Sequence, residues 1–313
     1  MTTISNKTLQ LNTGASIPSV GLGTWRSTDE ECYNSVKTAL LNGYTHIDTA
    51  KIYGNEVIVG KAINDYLRES GKPRESLFIT TKLWTSECKD PEKALRASID
   101  RLGLSYVDLY LIHWPVAVRN GDDPFPKDES GNRDTLPYNE WNYVDTWKKM
   151  QLLPETGLTK AVGVSNFNIA KLENLINHPE VTVIPAANQV EIHPLFPQVA
   201  LVEYCKKKGI VVECYSPLGS LGAPVLDDEH LKSIAVKYNV STATLAISWA
   251  VSRDLMVLPK SVNLDRIISN IKVIELDAKD VEAIEKYGEG KNMRLINPDW
   301  NTPYSIWEDR PDY

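Results

Sequence analysis

The chain has few cysteines, and their spacing excludes the common zinc and redox motifs. Four cysteines are present, none forms a CxxC pair, and no histidine stands beside them as a zinc site would require. The first ten residues are polar and lack the apolar core of a secretory signal peptide. Scattered cysteines without a secretion signal are typical of reduced thiols, so we expect a cytoplasmic protein with no metal site and no disulfide framework.

The chain also lacks long apolar runs and an excess of positive charge. No run approaches the ~18 apolar residues that a membrane-spanning helix needs, so we expect no membrane insertion. The formal net charge is −7, which argues against a general nucleic-acid-binding role. An anionic ligand must therefore be held by a local group of basic residues.

What the sequence does contain is an alternation of short apolar runs with longer amphipathic segments. A hairpin pattern comes first, with residues 8–11 and 16–18 on either side of a turn at 12–15. Eight runs then have the length and composition of strands: 20–23, 45–47, 77–80, 107–112, 161–164, 186–190, 210–214 and 255–258. Helical patterns lie between them at 29–41, 90–102, 141–153, 169–176, 198–208 and 242–251.

Strands separated by helices predict parallel pairing through right-handed crossovers. Eight such units suit an α/β fold of the closed (β/α)8 TIM-barrel type, and an open doubly wound sheet is the alternative. No interdomain linker is visible, so residues 1–313 are expected to form a single domain. We expect residues 27–30 to cap the first helix, and the turn-rich stretches 116–137 and 220–228 to be substrate loops.

Polar residues terminate most of the predicted strands. In a parallel barrel the carboxyl ends of all strands face one mouth, which is where catalytic groups lie. A single charged residue at a strand end is weak support for a site, but a run of seven is harder to explain by solvation alone. These endings are Asp48, Lys82, His113, Ser165 with Asn166, Gln189, Tyr215 with Ser216, and Lys260 with Ser261.

Four residues of this region form a chemically coherent set: Asp48, Tyr53, Lys82 and His113. A tyrosine has a pKa near 10, too high for efficient proton transfer at neutral pH, and an adjacent lysine ammonium is expected to lower that pKa. An aspartate keeps the lysine charged, and a histidine can orient a carbonyl oxygen by a hydrogen bond. Together they suit protonation of an oxyanion as hydride reaches the carbon.

Each of the four also has an ordinary structural interpretation. Tyr53 is one of 14 tyrosines and can be a residue of the rim, His113 can be a hydrogen-bonded structural histidine, and Asp48 can cap a turn. Lys82 follows apolar residues and is expected to be partly buried, where lysines are paired and often functional. Spacing alone leaves these interpretations open.

The same region carries a match to a known family. The chain resembles the aldo-keto reductase superfamily over nearly its whole length, in the family's order, and most resembles its fungal NADPH-dependent glycerol 2-dehydrogenase and carbonyl reductase-like members. The segments that carry the resemblance are GLGTW at 21–25, GYTHIDTA at 43–50, YGNE at 53–56, TKLW at 81–84, LGL at 102–104, VDLYLIHWP at 107–115, GVSNF at 163–167, NQVEIHP at 188–194, YSPLG at 215–219 and LPKSV at 258–262.

The resemblance implies a barrel with an N-terminal β-hairpin cap and an extended C-terminal loop, binding NADPH. Tyr53 would be the general acid, tuned by Lys82 and Asp48, with His113 orienting the carbonyl. The implied cofactor-binding residues are Thr24, Trp25, Ser165, Asn166, Gln189, Tyr215, Ser216, Leu218, Ser220, Lys260, Ser261, Arg266 and Asn270. Trp25, Trp84 and Trp114 would form the walls of an apolar substrate pocket, and Trp300 would close it.

The function expected from this resemblance is NADPH-dependent reduction of aldehydes and ketones by a monomer or weak homodimer. The alternative is a non-catalytic NADPH-binding structural or regulatory protein on the same fold, although such a protein has no need of Tyr53 beside Lys82. An unrelated barrel hydrolase would need paired carboxylates or a metal cluster at the strand ends, and Asp48 is the only acidic residue among those endings.

Overall fold

The described part of the chain alternates β-strands with α-helices along most of its length. The computed structural model describes residues 1–121, 123–302 and 306–307. The strands are β1 Thr3–Ile4, β2 Thr8–Gln10, β3 Ser16–Pro18, β4 Leu22–Gly23, β5 His46–Asp48, β6 Phe78–Leu83, β7 Val107–Ile112, β8 Thr159–Ser165, β9 Ala187–Glu191, β10 Val211–Tyr215, β11 Met256–Leu258 and β12 Lys272–Val273.

Within the residues that the structure describes, α-helices and three short 3-10 helices connect these strands. The α-helices are α1 Asp29–Leu41, α2 Glu56–Ser70, α3 Pro91–Leu102, α4 Tyr143–Met150, α5 Ile169–Ile176, α6 Val199–Lys207, α7 Pro224–Asp227, α8 Glu229–Lys237, α9 Thr242–Ser252, α10 Leu264–Asn270 and α11 Ala278–Lys291. The 3-10 helices are Lys51–Tyr53, Arg74–Ser76 and Leu153–Thr156. Within the described residues, no helix is both long and apolar enough to span a bilayer.

Eight parallel strands close into a barrel. Strands β4 to β11 pair in sequence order, each parallel to the next. The ends of this sheet meet where Val20 forms a parallel bridge with Val257, and the amide of Gly21 donates to the carbonyl of Val257 at 2.9 Å. The amide of Gly23 donates to Pro259 at 3.1 Å, which continues the seam. The predicted (β/α)8 fold is therefore confirmed, and the open sheet is excluded.

The N-terminal hairpin covers the end of the barrel where the strands begin. Strands β2 and β3 pair in antiparallel register, as the turn at residues 12–15 predicted. Leu11 and Ile17 from this hairpin are buried and pack against Phe78, Ala187 and Met256, which lie at the starts of β6, β9 and β11. The opposite end, where the strands terminate, is thus left to form a site. Strand β1, which the sequence did not predict, pairs with β12.

All eight predicted strands are present with boundaries shifted by a few residues, and six of the α-helices correspond to predicted ones. The predicted helix at 141–153 is shorter, because the side chain of Asn142 accepts hydrogen bonds from the amides of Val144 and Asp145 and so fixes the first turn at Tyr143. The expected side-chain cap of α1 was wrong: Thr28 stands at the N-cap position without a side-chain hydrogen bond. Of the predicted loops, 220–228 contains the short helix α7.

Candidate active site

A cavity of about 450 Å³ lies at the carboxyl ends of the barrel strands. Most of the residues predicted for the site line it: Thr24, Trp25, Asp48, Tyr53, Trp84, His113, Trp114, Ser165, Asn166, Gln189, Tyr215, Ser216, Leu218, Ser220, Lys260 and Trp300. It is also lined by residues that were not predicted for the site: Gly23, Arg26, Ile52, Phe125, Arg133, Pro217, Leu221, Leu258, Ile296 and Pro298. Phe125 and Arg133 come from the predicted loop 116–137, and Leu221 from the loop 220–228.

Lys82 lies beneath the cavity and joins two of the predicted residues. It belongs to β6 and is buried, as is Asp48, the last residue of β5. The ammonium Nζ lies 2.6 Å from Oδ1 of Asp48, 2.9 Å from the carbonyl oxygen of Thr49 and 3.3 Å from Oη of Tyr53. Burial lowers the pKa of Lys82, but Asp48 and Tyr53 outweigh burial, and the net shift is upward. The lysine is therefore held as an ammonium with all three donors used.

Tyr53 ends the 3-10 helix Lys51–Tyr53, which left-handed Gly54 terminates at φ 70°. This short turn brings the phenol over Lys82 at the cavity wall. Burial raises the pKa of Tyr53 above 10, whereas the ammonium of Lys82 lowers it. The predicted lowering by Lys82 is thus present, but the predicted net direction was wrong because desolvation of the phenolate is the larger effect. At neutral pH the phenol keeps its proton.

His113 follows β7 and lies between Tyr53 and Trp84. Its amide donates to the carbonyl of Leu83 at 3.1 Å, which extends the strand pairing to the histidine itself. The ring centroid lies 5.8 Å from that of Tyr53 and 5.3 Å from that of Trp84. Burial, and then the charge of Lys82, place the pKa of His113 well below 6.5. The imidazole is therefore neutral, with one N–H to donate.

Gln189 connects Asp48 to a second buried carboxyl group, Glu213. The amide nitrogen Nε2 of Gln189 donates to Oδ2 of Asp48 at 2.9 Å and to Oε2 of Glu213 at 2.8 Å. Because both hydrogens of the amide are used, its oxygen remains as the acceptor. Burial, with the charge of Asp48, raises the pKa of Glu213 to about 7. Glu213 was not predicted from the sequence; its signal there is an acidic residue inside an otherwise apolar strand.

The other polar residues of the cavity floor are bonded to one another. Asn166 adopts a left-handed conformation, φ 66°, and its Nδ2 donates to the carbonyl of His113 at 2.9 Å. Tyr215 donates its hydroxyl to Oδ1 of Asn166 at 2.7 Å, and Ser165 donates to the carbonyl of Gln189 at 2.7 Å. Thr24 donates its hydroxyl to the carbonyl of Asp48 at 2.9 Å. These bonds fix the end of each strand relative to its neighbours.

Two cations lie together at one end of the cavity. Nζ of Lys260 donates to the carbonyl of Arg26 at 3.1 Å, and the Arg26 guanidinium lies 4.6 Å from the ring centroid of Trp25. Neither cation forms an ion pair with an acidic side chain among the residues that the structure describes. Three predicted cofactor residues lie nearby in sequence but do not line the cavity: Ser261, Arg266 and Asn270. Ser261 accepts from the amide of Asn263, Arg266 is exposed, and Asn270 is buried at the end of α10.

Aromatic side chains form the opposite wall. Trp84, Trp114 and Trp300 are buried and share one apolar cluster, in which the ring centroid of Trp300 lies 5.8 Å from that of Trp84 and 5.5 Å from that of Trp114. Trp25 is separate from this cluster and more exposed. The predicted pocket wall is therefore formed by three of the four tryptophans, with Phe125 packed edge-on against Trp84 at 5.4 Å.

A buried carboxylate anchors the C-terminal segment that carries Trp300. Glu191, at the end of β9, accepts hydrogen bonds from the amides of Leu295 and Ile296, both at 2.9 Å. His193 lies 3.1 Å from the same carboxylate. Ile296, Pro298 and Trp300 line the cavity, so this anchor positions the extended segment predicted at the C-terminus. The part of the predicted tail beyond residue 302, apart from residues 306–307, lies outside the described residues.

Comparison with known proteins agrees with this arrangement. Residues 19–289 match the model of the Aldo/keto reductase family. A glycerol 2-dehydrogenase (NADP(+)) of Saccharomyces cerevisiae is 50% identical over 97% of this chain and 98% of the relative. An aldehyde reductase of the same yeast is 50% identical over 95% of this chain and 96% of the relative.

Among solved structures, an aldose reductase from Schistosoma japonicum superposes with a TM-score of 0.90 at 35% identity. The alignment covers 98% of this chain and 100% of that structure. The likeness thus extends over nearly the whole length of both chains. By its sequence and its fold, the chain belongs to the aldo/keto reductase family.

Proposed function

We propose that this protein is an NADPH-dependent carbonyl reductase that converts aldehydes and ketones to alcohols, with Tyr53 as the proton donor. One observation carries the proposal: the phenol of Tyr53 lines the cavity 3.3 Å from the ammonium of Lys82, which is paired with buried Asp48. A protein that only binds a nucleotide gains nothing from a buried ion pair placed against a tyrosine hydroxyl.

The residues supply the proton and stabilise the charge that remains. Bound NADPH supplies a hydride to the carbonyl carbon. The developing oxyanion takes the proton of the Tyr53 hydroxyl, and the ammonium of Lys82 stabilises the phenolate that is left. Asp48 keeps Lys82 charged and in place. Neutral His113 donates a hydrogen bond to the carbonyl oxygen and orients it toward Tyr53.

The cavity residues fit a dinucleotide that carries an additional phosphate. Tyr215 and the amide oxygen of Gln189 line the cavity and would hold the nicotinamide, and Ser216, Leu218 and Ser220 would line the path of the pyrophosphate. Arg26 and Lys260 are two neighbouring cations without a described acidic partner, which suits the 2′-phosphate. Ser261, which precedes α10, and Arg266 and Asn270 of α10 would extend this end.

The names of the relatives support the class of reaction. One is called a glycerol 2-dehydrogenase (NADP(+)) and another an aldehyde reductase. We infer small aldehydes, ketones and polyols as the substrate class, and a cytoplasmic monomer or weak homodimer that uses the cellular NADPH pool and binds neither nucleic acid nor membrane. Sedimentation at micromolar concentration tests the oligomeric state against the chain mass of 35.1 kDa.

The preference for NADPH is expected to depend on the cationic end of the cavity. Lys260→Ala and Arg266→Ala should each raise the KM for NADPH by about tenfold or more and change the KM for NADH far less, because NADH lacks the 2′-phosphate. Lys286→Ala, which removes the same charge from exposed helix α11, is the control. If either variant raised the KM for NADPH and the KM for NADH equally, the substituted residue would not bind the 2′-phosphate.

Turnover tests the function itself. The wild-type protein should oxidise NADPH in the presence of members of a panel of aldehydes, ketones and sugars, followed by loss of absorbance at the nicotinamide band. Tight NADPH binding without turnover of any member would favour the non-catalytic alternative.

A further inference from the structure

Arg133 lines the cavity on its aromatic side, away from the cations at the other end. Its guanidinium carbon lies 4.8 Å from the ring centroid of Phe125 and 4.6 Å from that of Trp300. Both rings contact Trp84, which in turn contacts His113. The guanidinium is therefore one tryptophan away from the histidine that faces the reacting carbonyl.

The guanidinium has unused capacity to bind an anion within the part of the chain that the structure describes. Arg133 forms no ion pair with any acidic side chain that the structure describes, and its nitrogen Nη1 is buried without a hydrogen-bond partner. Burial lowers the pKa of Arg133, and the charge of Asp299, which forms no ion pair with it, raises that pKa by a smaller amount. A half-buried arginine that lacks a counter-ion and borders a cavity can gain free energy from an anion.

Hydrogen bonds hold the backbone of Arg133 in place, and the guanidinium itself lies over the rings of Phe125 and Trp300. Nδ2 of Asn301 donates to the carbonyl of Arg133 at 3.0 Å, and the hydroxyl of Thr135 donates to the carbonyl of Trp300. The loop that carries Arg133 and the segment that carries Trp300 are thus joined at the cavity rim. A guanidinium that is already ordered loses less conformational entropy when it binds a ligand.

We propose that Arg133 recognises carbonyl substrates that bear a carboxylate at the end remote from the carbonyl. The carboxylate accepts the guanidinium N–H groups between Phe125 and Trp300, while the carbonyl lies between Tyr53 and His113. Among the described residues, the other charged side chains that line the cavity are Asp48, engaged by Lys82, and Arg26 and Lys260 at the far end. This substrate class rests on the function proposed above.

The test compares a substrate with its neutral counterpart: 4-carboxybenzaldehyde and the methyl ester of the same compound. In Arg133→Met the KM for the acid should rise by about tenfold or more, while the KM for the ester should change by less than about threefold. Arg133→Lys, which keeps the charge, should restore part of the preference. Arg119→Met removes the same charge from the same loop outside the cavity, and should leave both KM values unchanged.

Binding provides a readout that does not depend on turnover. The Kd of terephthalate, followed by quenching of tryptophan fluorescence, should rise in Arg133→Met and stay constant in Arg119→Met. Equal changes for acid and ester, or an unchanged terephthalate Kd, would mean that Arg133 only supports Trp300, and would overturn the inference. If Arg133→Met does not change the terephthalate Kd but the protein reduces the ester normally, the proposed reductase function stands and only the role of Arg133 is wrong. If Arg133→Met raises the terephthalate Kd but the wild-type protein reduces neither compound, the proposed reductase function is contradicted and the carboxylate site is not.

Discussion

At the scale of single residues, the chemistry depends on how charge is distributed below the cavity. Lys82 is the only cation in the hydrogen-bonded chain of described residues that runs from Tyr53 through Asp48 and Gln189 to Glu213. Asp48 balances the charge of Lys82, so the net charge of this hydrogen-bonded group of residues is set by whether Glu213 is ionised. Burial places that event near pH 7.

Glu213 is therefore expected to make stability depend on pH. Its pKa is raised from 4.5 in a free side chain to about 7 by burial, so folding favours the protonated form. Below about pH 4.5 Glu213 is protonated in both the native and the unfolded state, so it does not lower the free energy of unfolding. As the pH rises from there to about 7, the carboxyl ionises in the unfolded state only, and the native state loses stability. Glu213→Gln has no carboxyl at this position and is not destabilised in this way. The difference between its free energy of unfolding and that of the wild type should therefore shift in favour of the variant by roughly 2–3 kcal/mol from pH 5 to pH 8. Urea unfolding at both pH values measures this, and a difference that does not vary with pH would contradict it.

The sequence predicted the residues at strand ends better than those inside strands or in loops. Asp48, Lys82 and His113 follow apolar runs, and parallel pairing brings such termini to one mouth. Glu213 lies within a strand, where alternation does not reveal which face is interior. Arg133 lies in a long loop whose path depends on tertiary contacts with Trp300.

At the scale of elements, close contact between helices limits which residues are allowed. A Cβ atom at Gly60, in the middle of α2, would lie 2.1 Å from the carbonyl oxygen of Leu102 at the end of α3. Backbone cannot move aside as a flexible side chain does, so glycine is required for this packing. Gly290, near the end of α11, has open space in the same position.

Gly60→Ala should consequently lower the free energy of unfolding by about 1–3 kcal/mol or more, because the helices must separate. Gly290→Ala is the matched control, and should leave stability unchanged or raise it by up to about 1 kcal/mol, since alanine favours helix. Urea unfolding of both variants decides between these outcomes. If Gly60→Ala were as stable as wild type, the described approach of α2 to α3 would be wrong.

The accuracy of the helix predictions follows from local signals. The bounds of α5 were predicted as observed, because Asn168 caps its start and the apolar residues repeat at helical spacing. The predicted helix at 141–153 was too long, because Leu152 and Leu153 continue the apolar pattern past Met150, whereas Pro154 lies in a separate 3-10 helix, Leu153–Thr156. Strand β1 was missed because two exposed residues carry no pattern.

At the scale of the whole molecule, the residues that close the barrel and those that form the cavity lie at opposite ends. The hairpin of β2 and β3 closes the end where the strands begin, and the cavity occupies the end where they terminate. Polar residues that follow the strands predicted the end that holds the site, and the turn at residues 12–15 predicted the hairpin. The role of the hairpin as a cap was implied by the family resemblance. The closing seam between Val20 and Val257 joins residues far apart in sequence and was not predictable as a pair.

Ile17→Ala is expected to separate these two properties. Ile17 is fully buried in the hairpin, so its truncation should lower the free energy of unfolding by about 2–5 kcal/mol. KM and kcat measured well below the unfolding transition should stay near wild-type values. Val236→Ala, at an exposed position of α8, is the control for loss of methyl groups and should change stability by less than about 0.5 kcal/mol. A large change of KM in Ile17→Ala would contradict the division.

The central claim, that Tyr53 donates the proton, is tested most directly by Tyr53→Phe. The variant keeps the ring beside His113 and removes only the hydroxyl that contacts Lys82. NADPH consumption with a good aldehyde substrate and the Kd of NADPH are measured on the same preparations. We predict that kcat falls by about 100-fold or more while the Kd changes by less than about threefold. A variant that retained kcat within about tenfold of wild type would contradict the assignment of Tyr53 as the acid.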